Sequence, residues 1–354
     1  MQPRVHVYAA VDANGGSYER MRAAGLDVQV PDEPWMQAAN RSGDSTELIF
    51  APPTVAAAGV ANRLNVLTRR TLESAPDLRL IAKYSVGYDN VDEAAATDLG
   101  ILVVNSPTES NWGGVAEGAV TFLLALFKKV RERDRSVKDG KWRDPALMGT
   151  YLGARLTDDY PGIAVGIVGL GRIGSRVADL LAPWRVRLMA CDPYAHDSQF
   201  VSRNVRRVSL EELLSESDAV TIHCNLTPET RGMIGARELA LMKPGAVLVN
   251  SARGPIVDID ALFDALQSDR LAAAALDVLP EEPPDPQTPL LGLGDKVLLS
   301  PHMISNNVGT GLQMAVPWVE KAIFDAVRGE VPDNVVNPDA IPLWRQRFAG
   351  NSLI

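Results

Sequence analysis

The sequence predicts an α/β protein built on doubly wound parallel sheets. Three observations carry that reading. Short apolar runs alternate with helix-like segments almost throughout. The run 163–168 leads straight into Gly169-Leu-Gly171-Arg-Ile-Gly174. Three charged residues, Arg253, Glu282 and His302, each stand just after a different apolar run in the C-terminal half. Ligands bind outside the carboxyl ends of the strands in an open parallel sheet. Those side chains and the glycine turn are therefore expected to face one crevice. The length of 354 residues suggests two domains, because single cores stop growing below that size.

Taken in order, strands are expected at 5–9, 28–30, 48–50, 78–82 and 101–104, with short helices at 71–75 and 92–98. A long helix is expected from Val115 to Lys138. Its first half is apolar nearly all round, as buried helices are, and its second half is charged. Residues 141–161 read as irregular. Alternation then resumes, with strands at 163–168, 186–191, 219–223, 246–250, 273–277 and 297–299. Helices are expected at 172–182, 210–215, 236–241 and 258–267, and a last one at 311–328. The remainder, VPDNVVNPDAIPLWRQRFAGNSLI, shows no clear periodicity and is expected to lie on the surface as a tail.

Composition excludes several function classes. A net charge of −9 lacks the basic stripe that nucleic-acid binding needs. No apolar run approaches a membrane span of ~20 residues, and the N-terminus has no signal-peptide pattern. A cytoplasmic location is the expectation. Cys191 and Cys224 have no metal-ligand spacing, so no metal is expected, and both read as buried free thiols.

The glycine turn has the context that a lone G-x-G-x-x-G lacks. A strand precedes it, a helix-forming segment follows, and Asp192 ends the next strand about 20 residues on. Gly169 suits the tight turn, Gly171 the approach of a pyrophosphate, and Gly174 close helix–strand packing. The helix N-terminus offers N–H groups to phosphate, with Arg172 beside it. Asp192 suits ribose hydroxyls and repels a 2′-phosphate. Pro193-Tyr194-Ala195 add no cation, so NAD is favoured over NADP. Gly169, Gly171, Arg172, Ile173, Gly174 and Asp192 are the expected cofactor contacts.

Hydride transfer to a keto acid needs a group to hold the carboxylate, one to polarise the carbonyl and one to supply a proton. The fork of Arg253 suits the first two. His302 suits the third, since histidine titrates near neutrality. A carboxylate beside it would fix the ring and favour imidazolium. Glu282 is a natural partner, with Glu281 a rival. His223, at a strand end, reads as packing or support rather than a base. Trp112, Trp142 and Trp318 are candidates to line a substrate pocket, though Trp is more often core or interface.

These residues resemble the D-isomer-specific 2-hydroxyacid dehydrogenases. The matching stretches are Gly169–Gly174, His223-Cys-Asn-Leu-Thr-Pro-Glu-Thr230, Asn250-Ser-Ala-Arg-Gly254, Asp277-Val-Leu-Pro-Glu-Glu-Pro283 and Ser300-Pro-His302. Upstream, Ser85-Val-Gly-Tyr-Asp-Asn-Val-Asp92 and Val115-Ala-Glu117 belong to the same pattern. The resemblance implies that Arg253 binds the substrate carboxylate and carbonyl. His302 would be the acid/base, and Glu282, directly before proline, its partner. Thr227 and Asp277 would join the cofactor contacts, Asp277 near the nicotinamide carboxamide. The backbone of Ser85, Val86 and Gly87 would cradle the substrate carboxylate. It further implies a Rossmann NAD-binding domain (109–311) inserted into a flavodoxin-like substrate domain (1–108 and 312–354), and a homodimer built with the helix from Val115. Asn225 and Ser85 depart from the family pattern. So does Met303-Ile304-Ser305, where small residues are usual.

The expected function is NAD-dependent interconversion of a D-2-hydroxy acid and a 2-keto acid. An alternative is an NAD(H)-sensing, corepressor-like protein without turnover. The chain shows neither a long disordered tail nor a basic patch to favour it. Phosphite- or formate-type chemistry has no alcohol to deprotonate, so Glu282 argues for hydroxy acids.

Overall fold

The computed structural model describes residues 2–32, 54–58 and 67–354. The chain forms two compact units, Met1–Asn111 with Asn306–Ile354, and Trp112–Ser305. Among the described residues the first holds five parallel strands: β1 (Arg4–Val7), β2 (Asp27–Gln29), β3 (Thr54–Ala58), β4 (Leu80–Lys83) and β5 (Leu102–Val104). Their order, β2-β1-β3-β4-β5, is the flavodoxin-like one. Successive side chains serve opposite faces. Leu80 and Ala82 join Val5 and Val7 in one core, while Ile81 joins Val103 in the other. Such two-sided burial is why parallel strands read as continuous apolar runs. The expected strand 48–50 lies outside the described residues. The alanine-rich β3 was not expected, because alanine is a poor strand former.

The second unit carries seven parallel strands: β6 (Ala164–Val168), β7 (Arg187–Cys191), β8 (Arg206–Arg207), β9 (Ala219–Ile222), β10 (Ala246–Asn250), β11 (Leu271–Leu276) and β12 (Val297–Leu299). The order is β12-β11-β10-β9-β6-β7-β8. Counted from β6, this is the Rossmann order with one further strand. The order reverses between β6 and β9, so the switch point lies at their carboxyl ends. Alternate residues again feed two cores, Ala164, Val168 and Leu248 on one face, Val165, Ile167 and Val249 on the other.

Two expectations need correction. The long helix begins earlier and is broken, as Glu109–Lys128 and Val130–Lys138. Lys129 sits at φ 50 between them, and the Phe127 carbonyl accepts the Thr150 amide at 2.8 Å instead of continuing the helix. The C-terminal segment is not a surface tail. It forms the helix Ile341–Phe348, with Trp344 fully buried and its indole donating to the Arg79 carbonyl at 2.8 Å. Arg79 answers by donating to the Asn351 carbonyl at 2.7 Å. Just upstream, Asn337 closes on β5 through the Val103 amide.

Candidate active site

The glycine turn follows β6 directly. Gly169 sits at φ 90, and a Cβ there would meet the Cys224 backbone at 2.7 Å. A Cβ on Gly174 would lie 2.0 Å from the Gly169 carbonyl, so the helix Arg172–Leu181 packs on the turn only with glycine here. At Gly171 a Cβ would meet nothing within 4 Å. Gly171 is also the helix N-cap, and no side chain caps that end. The exposed Arg172 and half-buried Ile173 open the helix. An open turn and uncapped amides suit an anion such as pyrophosphate.

Asp192 directly follows β7 with its carboxylate turned to this loop. It accepts the Leu170 amide at 2.7 Å, and the Tyr194 and Ala195 amides at 2.9 and 3.0 Å. Tyr194 then donates to Glu229 at 2.8 Å, linking the loop after β7 to the loop after β9. Thr227 lies exposed in that second loop, its amide donating to the Thr230 hydroxyl. Sequence reasoning overlooked Arg207. From β8 its guanidinium reaches this corner, where it is engaged by the carbonyls of Asp192 and Ala195 and by Asp197.

Two buried polar atoms stand without a protein partner at the carboxyl ends of β9 and β10, Nδ1 of His223 and Oγ of Ser251. Buried donors and acceptors normally find partners. Together with the open turn and Asp192, they fit a dinucleotide laid across these strand ends. His223 is held by Thr221 at 2.8 Å through Nε2, and burial pushes its pKa down to about 3, so it stays neutral. The thiols of Cys191 and Cys224 are half-buried rather than buried. Burial raises both, that of Cys224 to about 11.

Arg253, Glu282 and His302 come together in the same unit. Arg253 follows β10 in a turn closed by Asn250, whose amide nitrogen donates to the Arg253 carbonyl at 2.9 Å. The next residue explains the approach of the neighbouring loop. A Cβ on Gly254 would lie 2.0 Å from the Leu279 carbonyl carbon, so the loops after β10 and β11 touch backbone to backbone only with glycine there. That contact brings the Arg253 charge to bear on Glu282.

Glu282 accepts the Leu279 amide at 2.9 Å through Oε1 and meets His302 Nδ1 at 2.7 Å through Oε2. Burial alone would raise this carboxyl. The His302 hydrogen bond and charge, the Leu279 amide and Arg253 outweigh it and hold it below the usual carboxylate range. An ionised carboxylate accepts, so Nδ1 carries the proton and Nε2 is left for chemistry. Glu281, the rival, is exposed. His302 itself sits at φ 55. Its amide donates to the Asp277 carbonyl at 2.8 Å, while the amides of Met303 and Ile304 donate to the Asp277 carboxylate at 3.0 and 3.2 Å. Asp277, 4% exposed, thus holds the histidine turn, which its position in the sequence did not reveal.

In the other unit, Ser85, Val86 and Gly87 follow β4. Their carbonyls accept from the Ser106 amide, Asn105 and the Ser85 hydroxyl, respectively. Trp142 is 74% exposed and Trp318 42%, so neither is core.

Residues 120–303 match the model of the D-isomer specific 2-hydroxyacid dehydrogenase, NAD binding domain. The chain belongs to this dehydrogenase family. It is 41% identical over 275 residues to the glyoxylate reductase of Korarchaeum cryptofilum, covering 76% of this chain and 79% of that one. It is 36% identical over 322 residues to the D-3-phosphoglycerate dehydrogenase of Archaeoglobus fulgidus, which covers 91% of this chain but 57% of the relative. Among solved structures, D-lactate dehydrogenase from Aquifex aeolicus, complexed with NAD and lactic acid, superposes with a TM-score of 0.76 at 25% identity. It covers 94% of this chain and 99% of that one. The chain accordingly places its glycine turn, Asp192 and the Arg253–Glu282–His302 group within the unit that the family match occupies.

Proposed function

We propose that this chain interconverts a D-2-hydroxy acid and a 2-keto acid, with NAD as cofactor. The observation that carries the proposal is the Glu282–His302 pair at 2.7 Å, beside Arg253 and at the carboxyl end of a dinucleotide-type sheet. When bound, NADH supplies the hydride. Arg253 takes the substrate carboxylate and polarises the carbonyl with a guanidinium that cannot lose its proton. Nε2 of His302 delivers the proton to the developing alkoxide, and in the reverse direction accepts it. Glu282 keeps Nδ1 protonated and orients the ring. The loop Ser85–Gly87 is proposed to receive the substrate carboxylate from the flavodoxin-like, substrate-binding unit.

Asp192 beneath the ribose position supports NAD over NADP. Arg207, which reaches that corner, is already paired. Gly169, Gly171, Arg172, Ile173 and Gly174 are proposed to hold the pyrophosphate, and Thr227 and Asp277 to contact the cofactor further along. The relatives are named for glyoxylate and for phosphoglycerate. A small 2-keto acid is therefore the substrate class to test first.

A homodimer in the cytoplasm is the proposed assembly. Val137, Trp142 and Met148 are exposed and line one surface hollow of the second unit. Side chains of this kind, massed together, mark interaction surfaces. Two free cysteines suit a reducing compartment. Among the described residues no helix is long and apolar enough to cross a membrane.

The test is loss of NADH near-ultraviolet absorbance with glyoxylate, hydroxypyruvate, pyruvate and bulkier 2-keto acids. Turnover of at least one is expected. Steady absorbance across the panel, with NADH bound, would contradict the proposal.

A further inference from the structure

We infer that Gly118 and Ile304 form a positioning pair that sets the place of the His302 turn. The inference rests on the reading of His302 as the acid/base. Gly118 lies in the helix Glu109–Lys128, where glycine is a poor choice for helix formation. Its φ is not in the left-handed region, so backbone conformation does not require it. Space does. A Cβ there would lie 2.1 Å from Cγ1 of Ile304, 2.7 Å from its Cδ1 and 3.1 Å from its carbonyl oxygen. The helix therefore has a notch at Gly118, flanked by the buried Ala116 and Ala119, and Ile304 sits in it.

Ile304 is two residues beyond His302, and the short turn between them is anchored on both sides. On one side Asp277 accepts three successive amides, those of His302, Met303 and Ile304. On the other, the Ile304 side chain fills the notch. His302 occupies a left-handed conformation that a residue with a Cβ adopts at some cost, so its surroundings must hold it there. Asp277 fixes the backbone of the turn along the sheet. The notch fixes how far the turn stands from the helix, and hence where Nδ1 meets Glu282. Sequence alone presented Ile304 as bulk where small residues are usual. In the structure that bulk is matched by a missing side chain on the facing helix.

The experiment is a size swap, with Gly118→Ala, Ile304→Ala and the double variant. Each is measured for kcat and its pH dependence in 2-keto acid reduction, and for NADH affinity by nicotinamide fluorescence. Small displacements of a catalytic group cost up to about 100-fold in rate. Gly118→Ala is expected to lower kcat by at least ~10-fold and to move the pH limb that reports the His302–Glu282 pair, with NADH affinity within ~3-fold of wild type. Ile304→Ala is expected to lower kcat several-fold with the same pH signature. In the double variant the added methyl refills part of the volume that Ile304→Ala vacates, and kcat should recover above both single variants. If Gly118→Ala gives no folded protein, Ile304→Ala and the double variant carry the test. Wild-type kcat and pH profile in both single variants, or a double variant no better than its worse parent, would overturn the inference while leaving His302 in its role. A wild type that binds NADH but reduces no keto acid would overturn both.

Discussion

Nδ1 of His302 lies 2.7 Å from Oε2 of Glu282, whose other oxygen accepts the Leu279 amide at 2.9 Å. The carboxylate is thus fixed from the strand side and presents one oxygen to the ring. Glu282→Gln keeps the shape and removes the charge. The ring then loses the charged acceptor that holds its Nδ1 proton and fixes its orientation. At neutral pH kcat should fall by about 10- to 100-fold, the usual scale for impaired proton transfer. Steady-state rates with a keto acid check this; a wild-type kcat would count against the pairing.

The glycine turn separates folding from binding. Gly174→Ala drives a methyl into the Gly169 carbonyl, so it should destabilise the fold by about 1–3 kcal/mol, as overpacking does. Gly171→Ala meets open space and keeps an allowed φ of −73. Its stability should stay within about 0.5 kcal/mol of wild type. NADH affinity should nonetheless drop by at least ~10-fold, because the methyl occupies the pyrophosphate approach. Urea unfolding and fluorescence titration of the two variants distinguish these effects.

His223 gives stability a defined pH slope. Burial lowers its pKa to about 3 in the folded chain, against 6.5 unfolded. A depressed pKa means that its contribution is complete above pH 6.5 and is lost as pH falls, because only the unfolded chain takes up the proton. The slope is about 1.4 kcal/mol per pH unit. His223→Leu forfeits the Thr221 bond at every pH but has nothing to titrate. Its deficit relative to wild type should therefore narrow by about 2 kcal/mol between pH 7 and pH 5. A constant deficit in denaturant melts would show that the imidazole titrates normally.

Trp344 ties the C-terminal segment to the first unit. Trp344→Ala removes a fully buried ring and the bond to the Arg79 carbonyl, and should cost about 3–5 kcal/mol. A loss under ~1 kcal/mol in thermal or urea unfolding would return that segment to the surface, where such changes are nearly neutral.

The C-terminal segment also shows where sequence reading runs out. Most strands of the second unit were legible because they read as apolar runs; β8 was not, since its two arginines are exposed. The glycine turn, Asp192, Arg253, Glu282 and His302 were legible because chemistry collects at strand ends. The helix Ile341–Phe348 was not, since its signal is a single i, i+4 pair, Trp344 and Phe348, just after Pro338 and Pro342. The break at Lys129 was invisible because it depends on a carbonyl captured by Thr150, more than twenty residues away in the chain. Asp277 holding the His302 turn and Ile304 seated against Gly118 are likewise long-range contacts, set by the packed strand ends rather than by local pattern.

The most direct test of His302 as the proton carrier is one paired measurement on His302→Ala: kcat with a keto acid that the wild type reduces, and NADH affinity on the same preparation. The account predicts a fall in kcat of about 100- to 10,000-fold with NADH binding essentially unchanged. A variant that keeps wild-type turnover would remove the imidazole from the reaction and contradict the account at its centre.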